Sequence, residues 1–173
     1  KYVSKISSDL GIPMIHEKWD IRFHSKENSL SIEEAARNIR YDFLSKIARR
    51  ENAHAIAIGH TSDDQVETIL MHLIRGSGIG GLTGMNSKSY WPSWSSENRM
   101  AIIRPLLNAT HVETTEYCID MGFTPIHDST NLSDEFTRNS IRLNVVPLLQ
   151  TYNPQIKESI LRLGRSVSQD QSF

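Results

Sequence analysis

The sequence predicts an α/β domain in which a parallel sheet is flanked by helices and followed by a helical C-terminal extension. Three observations carry that prediction. Residues 53–59 (AHAIAIG) form a short, nearly continuous apolar run, the length of a strand buried on both faces of a parallel sheet. A helix with a capping signal and an apolar stripe stands on each side of this run. Strand-like and helix-like segments alternate along the chain, as layered α/β domains require.

Taken in order, residues 1–10 read as a short helix stopped by Gly11 and Pro13. Residues 12–19 alternate apolar and polar side chains and read as a strand, and 22–29 as a polar loop. Ser31-Ile32-Glu33-Glu34 is a capping box, in which the serine accepts from the third helical N–H and Glu34 reaches back. The helix it opens places Ile32, Ala35, Ala36, Ile39, Phe43 and Ile47 on one stripe. After the strand at 53–59 comes a second capped helix, 63–75, with Val66, Ile69, Leu70, Leu73 and Ile74 as its buried side. A glycine-rich stretch and a polar, aromatic loop (86–98) lead to a strand at 100–106. Residues 110–121 form a helix ended by Gly122, and 123–136 a polar connection. Helices at 136–149 and 155–168 flank Asn153-Pro154, and a boundary near Gln150 separates residues 1–150 from 151–173.

Composition narrows the function class. The chain has 173 residues, 38% hydrophobic and 23% charged, ordinary for a soluble domain with a real core. No apolar run is long enough to span a bilayer, and the first residues do not form a signal peptide, so no membrane is expected and a cytoplasmic, reducing setting is the default. Cys118 is the sole cysteine, which excludes an internal disulfide framework and any multi-cysteine metal or cluster site. Net charge is −1, so the chain as a whole lacks the basic field typical of a nucleic-acid binder.

The segment Gly59-His60-Thr61-Ser62-Asp63-Asp64-Gln65-Val66-Glu67-Thr68 is the most informative. It joins the carboxyl end of a buried strand to a helix start, where open α/β sheets bind ligands. Asp64, Glu67, Thr68, Met71 and Arg75 share the helix face opposite the apolar stripe, so two carboxylates one turn apart project together. Such a pair can hold Mg²⁺ while it bridges substrate phosphates. First-turn acids also offset the helix dipole, and Thr61 or Ser62 would cap the helix whatever its function. Gly76-Ser77-Gly78-Ile79-Gly80-Gly81 contains a literal G-x-G-x-x-G, but it follows a helix rather than a strand, so the dinucleotide reading is rejected.

Residues 59–85 (GHTSDDQVETILMHLIRGSGIGGLTGM) resemble the second signature block of the tRNA(Ile)-lysidine synthetases, members of the N-type PP-loop ATP pyrophosphatases. The resemblance extends through Glu34-Ala35-Ala36-Arg37-Asn38-Ile39-Arg40-Tyr41, Arg104-Pro105-Leu106-Leu107, Asp128-Ser129-Thr130-Asn131, Arg138-Asn139-Ser140-Ile141-Arg142 and Pro147-Leu148-Leu149, in the family's order. It implies an adenine-nucleotide α-hydrolase-like (Rossmann-like) domain over residues 1–150, with 151–173 leading toward helical tRNA-binding domains. It also implies ATP and Mg²⁺ as cofactors, tRNA(Ile) and L-lysine as partners, and leaves a homodimer open. By position, Asp64 and Glu67 correspond to catalytic or metal-associated acids and His60 to a nucleotide or substrate contact. Arg40 corresponds to a cationic site residue, and Arg138 to an arginine near the reacting groups.

Other readings stay beside these. Arg40 is also a snorkelling surface arginine in pattern, Arg138 and Arg142 also form a basic helix face, and Asp128 and Asn131 also suit a cap or loop brace. Trp91 and Trp94 suit base stacking or, better, a local hydrophobic plug. His111 and His127 depart from the family's usual residues, and no Ser-Gly-Gly-x-Asp-Ser loop occurs in the sequence. That loop cradles pyrophosphate in the family, so the expectation is a fragment whose ATP-cradling half lies upstream and which is inactive alone. The competing functions are a related PP-loop tRNA thiolase, which would want paired cysteines, and a catalytically silent nucleotide- or RNA-binding module.

Overall fold

Ile102 sits at the middle of the sheet, 2% exposed. Its strand, β3 (Met100–Ile103), has a parallel neighbour on one side, β1 (Ala55–Ala57), and an antiparallel one on the other, β2 (Lys88–Trp91). Ile56 stands opposite Ile102 in one ladder and Trp91 opposite Met100 in the other. The structure is a computed structural model and describes residues 2–91, 99–126 and 137–170. It divides into two compact units, Lys1–Phe43 and Leu44–Phe173.

The sheet is mixed rather than purely parallel, because β2 arises inside the stretch predicted as a polar loop. Lys88, Ser89 and Tyr90 read as polar or amphipathic, yet β3 offers them an open ladder edge, and pairing satisfies their backbone groups. Trp91 is buried at the end of β2, the plug role, whereas Trp94 lies outside the described residues. In β1 only Ile56 is buried, and Ala57 is exposed, against the expected burial on both faces. Among the described residues β1 is an edge strand, covered where Ile56 meets Ala48 and Met100.

In the first unit, α1 (Tyr2–Asp9) forms where expected and Gly11, at φ +65°, turns the chain out of it. Residues 12–19 make no strand: they are exposed, and no ladder pairs them among the described residues. The predicted loop at 22–29 is instead a short helix, α2 (Ile21–Glu27), whose start is fixed by Asp20 accepting from the Phe23 N–H at 3.0 Å. The capping box at the head of α3 (Ile32–Arg50) is formed: Glu34 N–H donates to Ser31 Oγ at 3.2 Å and Ser31 N–H to Glu34 Oε2 at 3.1 Å. Ala35 and Ile39 of its stripe are buried, while Ile32 is exposed.

The second unit is built around α4 (Ser62–Ile74). Val66, Ile69 and Leu70 pack with Ile141, Val146 and Ile160 in one core cluster. The predicted stripe ends a turn early, since Leu73 and Ile74 are 59% and 62% exposed. There the helix closes: Gly76 at φ +69° donates to the Leu73 carbonyl and Ser77 to the His72 carbonyl, a Schellman ending. After it come α5 (Gly78–Gly81) and α6 (His111–Asp120), the latter headed by a capping box of Thr110 and Glu113. The helix predicted at 136–149 begins as α7 (Thr137–Ser140), widens into a π-turn at Ile141–Val145 and resumes as α8 (Val146–Tyr152). Pro147 accounts for the widening, because it has no N–H for the Leu143 carbonyl and its ring would clash there in an α-turn.

The last helix, α9 (Ile156–Asp170), packs on α4 through Ile160 and Gly164. A Cβ on Gly164 would lie 2.9 Å from Ile69 Cδ1 and 3.2 Å from the Leu82 carbonyl, so only glycine allows this approach. Gly164→Leu is therefore expected to cost about 1–3 kcal/mol in urea unfolding by overpacking, whereas Leu163→Ala, on the open side of α9, should cost far less.

Candidate active site

The turn from β1 into α4 sets the site. Ile58 N–H continues the ladder to the Ile103 carbonyl at 2.9 Å, and Ser62 N–H donates to the Ala109 carbonyl at 2.8 Å. Between them Thr61 serves as the N-cap of α4. Asp64 closes this cap: its Oδ2 accepts from the Thr61 N–H at 2.9 Å and the Thr61 hydroxyl at 3.0 Å. The capping role and the site role weighed for Asp64 thus fall on one side chain, still partly exposed.

Glu67, one turn on, lies on the face opposite the apolar stripe, as expected, yet is only 3% exposed. The segment 137–145 covers that face. Arg142 Nε and Nη2 donate to Glu67 Oε1 and Oε2 at 2.6 and 3.0 Å, a bidentate pair. Arg138 Nε lies 3.6 Å from Oε2, and its Nη2 donates to the Thr68 hydroxyl at 2.7 Å. Thr68 in turn donates to the Asp64 carbonyl at 2.8 Å, and Arg142 Nη2 stands 3.9 Å from Asp64 Oδ1. Two acids and two arginines form one connected cluster.

Burial pushes the Glu67 carboxyl above its ordinary value. Arg142 opposes this, the neighbouring Asp64 charge adds to it, and Arg138 offsets a little. Arg142 is raised in turn, first by its hydrogen bond to Glu67. Both Glu67 oxygens accept from the Arg142 guanidinium, the two-pronged geometry that suits a carboxylate paired with arginine.

His60 is half-buried, and its Nδ1 lies 3.2 Å from Arg104 Nε. Arginine only donates, so Nδ1 is the acceptor and Nε2 carries the proton in the neutral ring. Arg104 is 7% exposed and is itself pinned, donating from Nη1 to the Asn86 carbonyl at 2.7 Å and the Ser89 hydroxyl at 3.0 Å.

Asp63 does a separate job. Its Oδ1 accepts from Lys157 at 2.6 Å and its Oδ2 from the His111 N–H at 2.7 Å, tying α4 to α9 and to the first turn of α6. Burial alone would raise this carboxyl, but the His111 N–H and Lys157 outweigh it and hold it below the ordinary aspartate value. The chain leaving α5, at the end of the glycine-rich stretch, is clamped to α4. Gln65 Nε2 donates to the Thr83 and Met85 carbonyls at 3.1 Å each, and Gln65 Oε1 accepts from Met85 N–H at 2.7 Å. Gly84, at φ +68°, leaves room for that amide: a Cβ would sit 2.6 Å from Gln65 Nε2.

Of the residues singled out from sequence, His60, Asp64, Glu67 and Arg138 lie in the second unit, with Asp64, Glu67 and Arg138 in one cluster. Arg40 belongs to the first unit and is exposed on α3. Asp128, Asn131 and His127 lie outside the described residues. Two arginines were undervalued. Arg142 was set aside as a basic-face residue, though its i+4 spacing from Arg138 signalled a shared face. Arg104 was read as the end of a strand and as part of a matched block, with no site role, and an arginine closing an apolar strand was the available signal.

The fit to Mg²⁺ is poor at Glu67. The ion takes oxygen ligands at short range, usually one or two carboxylates with waters and phosphates. Glu67 has both oxygens committed to Arg142, and Asp64 Oδ2 is committed to Thr61. Among the described residues no group of three or more His, Cys, Asp or Glu side chains could hold a metal. No helix among them is long and apolar enough to cross a membrane.

A family model described as a PP-loop domain matches residues 1–149. The tRNA(Ile)-lysidine synthase of Dehalococcoides mccartyi is 44% identical over 161 residues, which take in 93% of this chain and 34% of that protein. Its counterpart in Bacteroides thetaiotaomicron is 40% identical over 168 residues, 97% of this chain and 37% of that protein. The Clostridioides difficile protein of the same name is 36% identical over 173 residues, 99% and 36% respectively. The chain thus spans about a third of the length of these curated relatives. Among solved structures, the U34-tRNA thiolase NcsA of Methanococcus maripaludis superposes with a TM-score of 0.67 at 20% identity, over 96% of this chain and 56% of that one. At that identity the likeness establishes the shared fold.

The tie at Asp63 has a pH signature. A carboxyl held low in the folded state contributes stability that is full above the unfolded value and lost as pH falls through the folded one. Asp63→Asn should therefore cost about 1 kcal/mol in thermal or urea unfolding near neutral pH, a figure kept small by solvent screening of the half-exposed Lys157. The gap to the parent should close as pH falls below the ordinary aspartate range, and a pH-independent gap would contradict the assignment.

Proposed function

The chain belongs to the PP-loop domain family, and from that premise we propose that it is the nucleotide-domain portion of a tRNA(Ile)-lysidine synthetase. In the proposed reaction, ATP adenylylates the C2 carbonyl oxygen of the wobble cytidine of tRNA(Ile) and pyrophosphate leaves. The amine of L-lysine then attacks C2, and AMP departs as the new carbon–nitrogen bond forms. The observation that supports this reading best is the cluster of Asp64, Glu67, Arg138 and Arg142 at the carboxyl end of the sheet, where α/β folds bind their ligands.

Within that proposal the residues divide the work. Arg138, its guanidinium steadied by Thr68 and Glu67, stabilises negative charge at the reacting phosphate. Asp64, the more exposed acid, faces the reacting groups as a base or as an acceptor for the incoming amine. His60, held by Arg104 with Nδ1 as acceptor, presents its other nitrogen to nucleotide or substrate. Arg40, in the first unit, is proposed as a cationic residue of the same reaction, with no place assigned to it relative to this cluster. Mg²⁺ would arrive on the nucleotide and neutralise its phosphates.

Residues 1–150 form the nucleotide domain in this reading, and residues 151–173, packed on α4 through Ile160 and Gly164, lead toward proposed helical tRNA-binding parts. That division of the tRNA grip fits a net charge of −1, and a cytoplasmic setting is part of the proposal. Thiolase chemistry is the weaker alternative, since Cys118 has no second cysteine to work with.

Two outcomes are expected. The full-length protein carrying this chain should incorporate labelled lysine into isoleucine tRNA in an ATP-dependent way, and Asp64→Asn should lower the rate by about 100-fold or more. Unchanged incorporation in that variant refutes the role of Asp64. The 173-residue chain has no Ser-Gly-Gly-x-Asp-Ser loop and should bind ATP weakly in a titration, so tight, Mg²⁺-dependent binding would count against the assignment.

A further inference from the structure

Glu67 entered as a candidate magnesium ligand, and the geometry points to a different task. We propose that Glu67 is a positioning residue that anchors Arg142 and Arg138, and that Arg142 belongs to the working site, whose exposed edge is cationic rather than metal-binding. The proposal deepens the lysidine-synthetase reading and rests on it only for the reaction used as one readout.

Three observations carry it. Glu67 is 3% exposed, so a metal entering from solvent meets no open carboxylate. Its oxygens are filled by Arg142 at 2.6 and 3.0 Å, with Arg138 Nε a further 3.6 Å from Oε2. A dication bound at about 2.0–2.1 Å from either oxygen would face those guanidinium nitrogens at close range and would have to expel Arg142 first. The arginine side chains, in contrast, are 33% and 42% exposed while their guanidinium groups are tied to Glu67, so each is open to a ligand from solvent with its charged head at a defined place.

The rest of the segment is shaped to the same end. Arg138 and Arg142 stand four residues apart on one face, and the π-turn that carries Arg142 starts at Ile141, buried in the core beside Val66 and Ile69. Arg138 has a second anchor in Thr68, and Arg142 a longer-range partner in Asp64 Oδ1 at 3.9 Å. Removing the Glu67 charge would therefore release Arg142 and leave Arg138 held mainly by Thr68, whereas removing a metal ligand would change metal affinity and leave both arginines in place.

The test uses the full-length protein with its arginine side chains labelled with nitrogen-15. The Arg142 Nε–H should appear as a slowly exchanging resonance, stay unchanged through a titration with Mg²⁺ alone, and lose its protection in Glu67→Gln. In lysine incorporation at saturating ATP, Glu67→Gln and Arg142→Met should each lower kcat by about 10- to 100-fold, as loss of an orienting partner does. The Mg²⁺ concentration for half-maximal rate should stay near that of the parent in both. Loss of the Arg142 resonance on adding Mg²⁺ would overturn the proposal. So would a large rise in half-saturating Mg²⁺ in Glu67→Gln that Arg142→Met does not share. The resonance decides the anchor even if the variants fold poorly, and even if the parent transfers no lysine, in which case the functional reading fails and the anchor is still read.

Discussion

A carboxylate withdrawn from water must find compensation nearby, and in this protein that requirement falls on Glu67. At 3% exposure its charge has little solvent left to it, and the compensation comes from Arg142 and Arg138, some seventy-five residues further along the chain. Breaking such a pair by removing one partner leaves an unpaired buried charge, typically a loss of about 3–5 kcal/mol, less where one partner is half-exposed as Arg142 is. The pair thus fixes where the segment 137–145 lies on α4. With that segment in place, Thr68, Asp64 and Thr61 follow through a chain of hydrogen bonds to the helix start.

Helix α4 owes its central place to having a partner on each side. Val66, Ile69 and Leu70 face the core shared with Ile141, Val146 and Ile160, and Glu67 faces the arginines. Gln65 clamps the glycine turn, and Asp63 reaches Lys157 and the start of α6. Three acids within five residues therefore hold three different jobs: tie, cap and anchor. The same residue type is sorted by burial and by which donors reach it, which a helical wheel does not record.

Much of this was legible in advance. The capping box at Ser31 and the sheet-to-helix turn at Gly59–Thr61 follow from local chemistry that needs no tertiary contact. The core half of α4 follows from periodicity, and the glycine motif was refused on context that the Schellman ending at Gly76 bears out. What was missed depends on partners distant in sequence. Residues 12–19 alternate like a strand but find no ladder among the described residues, and Lys88–Trp91 looks like a loop but is recruited by β3. The short α2 rests on one aspartate cap. Glu67 read as one of a projecting pair of acids because the segment that covers it lies seventy residues downstream, and Arg142 read as part of a basic helix face for the same reason. Arg104 was invisible as a site residue until β2 and His60 closed around it.

The central claim is that Glu67 and Arg142 act as one coupled unit, and a double-mutant cycle in urea unfolding tests it most directly. Glu67→Gln, Arg142→Met and the combined variant would be compared with the parent at neutral pH. The account predicts a coupling of about 2 kcal/mol or more, with the combined variant no less stable than Glu67→Gln alone. Strictly additive losses would mean that the two side chains do not depend on each other, and would contradict it.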